Sequence, residues 1–358
     1  MTFCLHCETY LSPEATACPA CGAAAPEAAS PELAWQAALP ASPGSTPVAF
    51  AGGVLLASDS LEHAAVLAHY ALSNGQTHWP HTFDHALISG LAVVGDVALV
   101  SLTSTDLLRG QGALVALDAG GKEVWRWSPG VQQVSAPAVT GNTAYLTVDA
   151  THLIAVDITT GAGQARWALP VAAARAAPAV TGETLYLPCR GPHLLAIAPS
   201  GALRWRFDAP LPETAWLHHT PLLHQDTVFT VSSTGQILAL EAETGKLRWQ
   251  IPIGPPGRAL SPLVTDGERL YVGARDGLHA LTVDGHTAWP VPISQKITAA
   301  PVVTGDVVYA ACWDRRLYAL DAATGKELWR YEVERHIEVA PLVSVSYTHL
   351  TLPTKRIV

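Results

Sequence analysis

Tryptophan is over-supplied in this chain: eleven tryptophans stand against five phenylalanines and one methionine in 358 residues. Seven of them, Trp79, Trp125, Trp167, Trp205, Trp249, Trp289 and Trp329, are separated by 46, 42, 38, 44, 40 and 40 residues. A period of roughly 40–45 residues marks a chain built from repeated supersecondary units. The last complete unit reads ITAAPVVTGDVVYAACWDRRLYALDAATGKELWRYEV (297–333), and related units occupy 134–171, 176–210, 220–253 and 261–293. Two degenerate copies lie near 46–82 and 88–128. Each unit holds four short alternating or β-branched runs separated by Gly, Asp or Asn turns. That is the content of four antiparallel strands, one blade of a propeller. Helical repeats of similar length are excluded by the density of Gly (28) and Pro (27) and by the period-2 runs.

ALDAATGKELW (319–329) and ALEAETGKLRW (239–249) resemble the tryptophan-docking motif of the quinoprotein-like (PQQ-like repeat) propellers. That family includes quinoprotein alcohol dehydrogenases and the outer-membrane assembly lipoprotein. ALDAGGKEVW (116–125), AIAPSGALRW (196–205) and ALTVDGHTAW (280–289) have a turn one residue shorter. The resemblance covers about three hundred residues, and it implies that each indole wedges between neighbouring blades. A wide amphipathic ring also suits the divergent outer gap between twisted sheets. Trp35, in LAWQAAL, supplies an eighth indole. The expected fold is therefore all-β, an eight-bladed propeller over 34–344. Trp35 is expected on a strand that closes the last blade and removes its exposed edge. HIEVAPLVS (336–344) is then the innermost strand of blade eight, which is truncated. Residues 345–358, VSYTHLTLPTKRIV, resemble one reading frame of a transposase-based sequencing adapter and are read as a non-native tail.

Cys4, Cys7, Cys18 and Cys21 form two CxxC pairs ten residues apart, the second followed by Gly22. Two such knuckles can aim four thiolates at one centre, and Zn²⁺ favours that closed tetrahedral, structural geometry. The segment is too short to build a core, so the metal must supply its folding energy. It resembles the small bacterial zinc ribbon. Residues 1–22 are accordingly expected to be a zinc ribbon and 23–33, rich in Ala, Pro and Glu, a linker.

A formal net charge of −9 with few Lys and Arg lacks the footprint of a nucleic-acid binder or a polybasic membrane patch. No apolar run is long enough to span a bilayer, and the N-terminus shows no secretory signal. A reducing cytoplasmic setting and a monomeric propeller are expected. Cys189 and Cys312 read as buried hydrophobes. Asp118, Asp157, Glu241 and Asp321 sit in the docking turns, where a carboxylate caps local backbone N–H groups. The resemblance implies a quinone cofactor with Ca²⁺ in the dehydrogenases, often beside a disulfide between adjacent cysteines. No adjacent cysteine pair exists here, so pyrroloquinoline quinone is not supported. His78, His81 and His85, and His218, His219 and His224, read as polar loop residues, with a metal or ligand site as the alternative. Arg258, Arg275, Arg315 and Arg316 are candidates for a channel mouth.

The function expected first is a non-catalytic scaffold that offers a propeller rim to a protein or peptide, with the ribbon as a second contact. The alternatives are a quinone-dependent dehydrogenase, an outer-membrane assembly factor, and a ligand-sensing domain detached from a kinase.

Overall fold

In the computed structural model, residues 2–3, 10–11, 33–36, 39, 42–59, 64–106, 110–174, 176–217, 219–255, 260–344 and 349–351 are described. Seven antiparallel blades follow one another along the chain, each a meander from an inner to an outer strand. Blade 1 runs Val48–Phe50, Gly53–Asp59, Ala64–Ala71 and Thr77–Asp84, with Ser42–Pro43 also paired to its second strand. Blade 2 runs from Ala86–Val94 to Glu123–Trp127, and blade 3 from Ala138–Thr140 to Gly163–Ala168. Blades 4 to 7 end on the outer strands Leu203–Asp208, Leu247–Pro252, Thr287–Pro292 and Glu327–Glu332. Thr2–Phe3 pairs with Tyr10–Leu11.

The burial of each strand follows from its place in the blade. Second and third strands are covered on both faces by neighbouring blades, so runs such as Ala113–Leu117 and Thr227–Val231 are buried at every position. Outer strands have water on one side and alternate, as in Leu203–Asp208. The core is correspondingly divided. Six clusters each lie between two consecutive blades, from Leu67 with Val100 at the first junction to Tyr271 with Leu320 at the last. Every third-to-outer strand pair carries a register shift next to the docking position, between Ala239 and Leu240 in blade 5 and equivalently elsewhere. Bulges of this kind increase local twist, which splays the outer edges of adjacent sheets.

The expected eight-bladed propeller is corrected to seven blades. Trp35 lies in the irregular segment 33–36 rather than on a strand, and it docks onto blade 1 from outside. After blade 7 the chain forms a two-stranded hairpin, Leu342–Ser344 with His349–Thr351. The first of these strands sits between the inner strands of blades 7 and 1, and Leu342 packs on the free face of blade 1. Counting indoles overcounted sheets, because one docking ring precedes the first blade and another, Trp329, ends the last. Cys4, Cys7, Cys18, Cys21 and the linker up to residue 32 lie outside the described residues.

Candidate functional site: the two rims of the ring

The turns between third and outer strands form one rim, and there the indoles dock. Trp205 donates its Nε1–H to the Ala242 carbonyl of the next blade at 3.0 Å. Equivalent bonds join Trp35 to Leu72, Trp79 to Ala119, Trp125 to Ile158, Trp249 to Val283 and Trp289 to Ala322, at 2.7–3.3 Å. Beneath each ring lies a left-handed glycine. Gly245 has φ +71°, and a Cβ there would sit 2.6 Å from Trp205 Cδ2. Tyr186 donates its hydroxyl to the same carbonyl that receives Trp205, and the Tyr271 hydroxyl lies 2.7 Å from the Asp266 carboxylate and 3.0 Å from the Ala322 carbonyl that receives Trp289. The turn carboxylates act locally. Asp118 accepts the N–H groups of Gly120 and Lys122 at 2.9 Å each, and Asp157 accepts that of Thr160. The Thr160 hydrogen bonds hold Asp157 below the ordinary carboxylate range. Asp321 caps Thr324 in the same way, and Glu241 accepts the Thr244 hydroxyl.

Trp167 departs from the pattern. In most blades the docking tryptophan faces an alanine of the third strand, as Trp205 faces Ala196 and Trp249 faces Ala239. In blade 3 the residue in that register is Ala165, opposite Ala155, and Trp167 lies two residues further along the same face. The ring still covers Gly201. Placing the docking position at 165 turns the uneven intervals of 42 and 38 residues into two of 40.

The opposite rim is built from the links between blades and the hairpins joining second to third strands. Trp216, on the link to blade 5, is 53% exposed while its backbone pairs with Ser233 of the blade-5 hairpin. Two blades on, the equivalent positions are Lys296 and Trp313. The Lys296 ammonium lies 3.4 Å from the centre of the Trp313 ring, and His336 stacks on Trp313 at 4.5 Å and 14°. An ammonium and an imidazole this close cannot share one face, so they sandwich the indole. Thr298 accepts its N–H at 3.0 Å, and Glu338 lies 3.3 Å from His336. Between blades 1 and 2 the same rim opens into a cleft of about 450 Å³ lined by Asp84, His85, Ser104, Asp106, Gln111 and Arg126.

The histidine groups are not brought together. His78 turns to the buried His69, His81 reaches the Gly121 carbonyl at 3.1 Å, and His85 lines the cleft. His219 contacts the Leu260 carbonyl at 3.0 Å, and His224 is on the inner strand of blade 5. His218 and Arg258 lie outside the described residues. Arg275 is exposed in the blade-6 hairpin, whereas Arg315 and Arg316 face Glu332 at 4.0 and 3.6 Å. Cys189 and Cys312 are fully buried in separate blades, and burial pushes both thiols up to about 12. Among the described residues no group of three or more His, Cys, Asp or Glu side chains is placed to hold a metal ion. None of the described elements is a helix long and apolar enough to cross a membrane.

The profile of the family described as "Outer membrane protein assembly factor BamB", a PQQ-like repeat, matches residues 63–207, 162–261 and 254–351. The chain belongs to this family. Its curated relatives have several roles. "Serine/threonine-protein kinase AfsK" of Streptomyces griseus is 32% identical over 165 residues, 43% of this chain and 20% of the kinase. BamB of Burkholderia pseudomallei is 28% identical over 113 residues, 31% of this chain and 29% of that protein. "Quinohemoprotein alcohol dehydrogenase ADH IIB" of Pseudomonas putida is 31% identical over 127 residues, covering 36% and 14%. The matches thus span a third or less of each of these relatives. Among solved structures, BamB from Moraxella catarrhalis superposes with a TM-score of 0.65 at 18% identity, over 86% of this chain and 89% of that one. A europium-containing methanol dehydrogenase gives 0.68 at 14% identity, over 89% and 84%. These two likenesses concern the fold.

Proposed function

We propose that the chain is a non-catalytic binding and scaffold protein whose link-side rim holds a protein or peptide partner. The observation that carries this reading is Trp216, a large aromatic ring more than half exposed on the link-side rim. Trp and Arg are enriched among interface hot spots, and Arg190 and Arg275 are exposed in the hairpins of blades 4 and 6 on the same rim. The docking-turn rim, by contrast, uses its indoles to join blades and its carboxylates to cap their own turns. A photo-crosslinking residue at position 216 should capture a partner from cells, while one at Glu243 on the docking rim should not. Capture from 243 alone would overturn the assignment of the rim.

The proposal extends to the N-terminal residues, where Cys4, Cys7, Cys18 and Cys21 would hold one structural Zn²⁺, and to a reducing, cytoplasmic setting in which Cys189 and Cys312 stay free. A second reading draws on the kinase relative: the propeller as a ligand-sensing module, whose partner is then a small molecule rather than a peptide. Isothermal titration against metabolite pools, with Trp216→Ala as control, separates the two.

A further inference from the structure

Blade 1 departs from the repeat at two neighbouring positions. The third-strand residue facing the docking position is Ala116, Ala155, Ala196, Ala239, Ala280 and Ala319 in blades 2 to 7, and His69 in blade 1. The second-strand residue beside it is Val97, Thr143, Thr184, Thr227, Arg269 or Val307 elsewhere, and Gly53 in blade 1. The two positions meet in space: a Cβ at Gly53 would run into His69 Nε2 as well as into the Tyr70 carbonyl. His69 also replaces an aromatic partner. In blades 4 to 7 the docking indole packs against Tyr186, Phe229, Tyr271 or Tyr309 of the second strand at 5.7–5.9 Å. In blade 1 that second-strand position is Leu55, and His69 packs against Trp79 at 5.6 Å.

The imidazole is 2% exposed, and Nε2 lies 2.9 Å from the Phe50 carbonyl. A carbonyl only accepts, so Nε2 carries the proton and Nδ1 presents a lone pair, buried and without a hydrogen-bond partner among the described residues. Protonation would place both a charge and an unsatisfied donor in that surround. The facing groups give no counter-charge. The inner strand supplies Phe50, the second strand Gly53, and the outer strand Trp79 with His78, whose ring meets His69 at 4.9 Å. We infer that His69 is an acid-sensitive latch: its protonation loosens blade 1, and with it the Trp79 junction to blade 2 and the turn on which Trp35 docks. Burial, followed by the His78 charge, lowers the His69 pKa against the opposing Phe50 carbonyl. The unfolded form therefore binds the proton more readily. The stabilisation is present above about pH 6.5 and is lost as pH falls from there toward the depressed folded value.

The test is hydrogen exchange followed by mass spectrometry on the full chain from pH 7.5 to 5.0, corrected for intrinsic exchange. Peptides from 48–84 should lose protection about tenfold per pH unit below about 6.5, relative to blade 7 peptides from 302–332, which hold no histidine. His69→Gln, and the repeat-restoring pair Leu55→Tyr with His69→Ala, should flatten that dependence, while His78→Gln keeps most of it. Equal loss in all blades, or an undiminished slope in the His69 variants, overturns the latch. Should those variants fail to fold, the imidazole resonances of the unmodified protein decide: a His69 titration midpoint below the ordinary imidazole value of about 6.5 supports the inference, and a midpoint at or above it in the intact fold overturns it.

Discussion

Substituting Gly245 by alanine tests how the blades are joined. Two costs add at this site. An L-residue held at φ +71° costs about 1–2 kcal/mol. Its Cβ would also stand 2.6 Å from Trp205 Cδ2, so the indole must shift and weaken its 3.0 Å bond to the Ala242 carbonyl, worth about 0.5–1.5 kcal/mol. The sum is about 2–4 kcal/mol, counting some lost packing. Gly141 provides the control: φ is +54°, but no atom lies within 4 Å of its would-be Cβ. Gly141→Ala should therefore cost only the conformational share, about 1–2 kcal/mol. Urea titrations of both variants, followed by far-UV circular dichroism, give the comparison as shifts in midpoint at constant slope. In a Trp205→Ala background the Gly245→Ala penalty should fall to the Gly141 level, since the clashing ring is gone. If Gly141→Ala proves as costly as Gly245→Ala, or the Gly245 penalty is undiminished without Trp205, the docking argument is wrong.

Other outcomes follow from particular side chains. Trp205→Ala should cost about 3–5 kcal/mol, as for a large ring removed from a packed junction, and Trp167→Ala less, because Trp167 lies two residues off the docking register; thermal unfolding ranks them. Cys189 and Cys312 should stay unreactive toward a thiol reagent at pH 8 until the protein unfolds, with thiols near 12 and no exposed sulfur. Elemental analysis should find one zinc per chain, lost on Cys18→Ser, if the N-terminal cysteines bind as proposed. Lys296→Ala or His336→Ala should red-shift and quench the Trp313 contribution to fluorescence by uncovering one of its faces.

Much of the architecture was legible in the sequence, because a blade is a local meander and its strands appear as short runs between Gly turns. The glycine and the indole four residues later, as in Gly245 and Trp249, are a local signal for a long-range contact. Blade number was less legible. Whether Trp35 ends a blade or precedes one depends on whether its flanks form a strand, and LAWQAAL carries no alternation to decide it. The shift at Ala165 was visible only as uneven spacing, since a two-residue slip keeps Trp167 on the same face of the strand. The rim was hardly legible. Lys296, Trp313 and His336 come from three separate turns, and nothing in their spacing announces that they stack. His69 had a signal that aligning the repeats exposes: a histidine in a column of alanines.

The central claim is that indoles on one blade are fixed to the turn of the next by their N–H groups. Exchange of ¹⁵N-labelled indole N–H groups with D₂O measures this directly. The account predicts slow exchange at Trp35, Trp79, Trp125, Trp205, Trp249 and Trp289, each accelerated when the glycine beneath its ring becomes alanine. Exchange at those six positions as fast as in free tryptophan would contradict it.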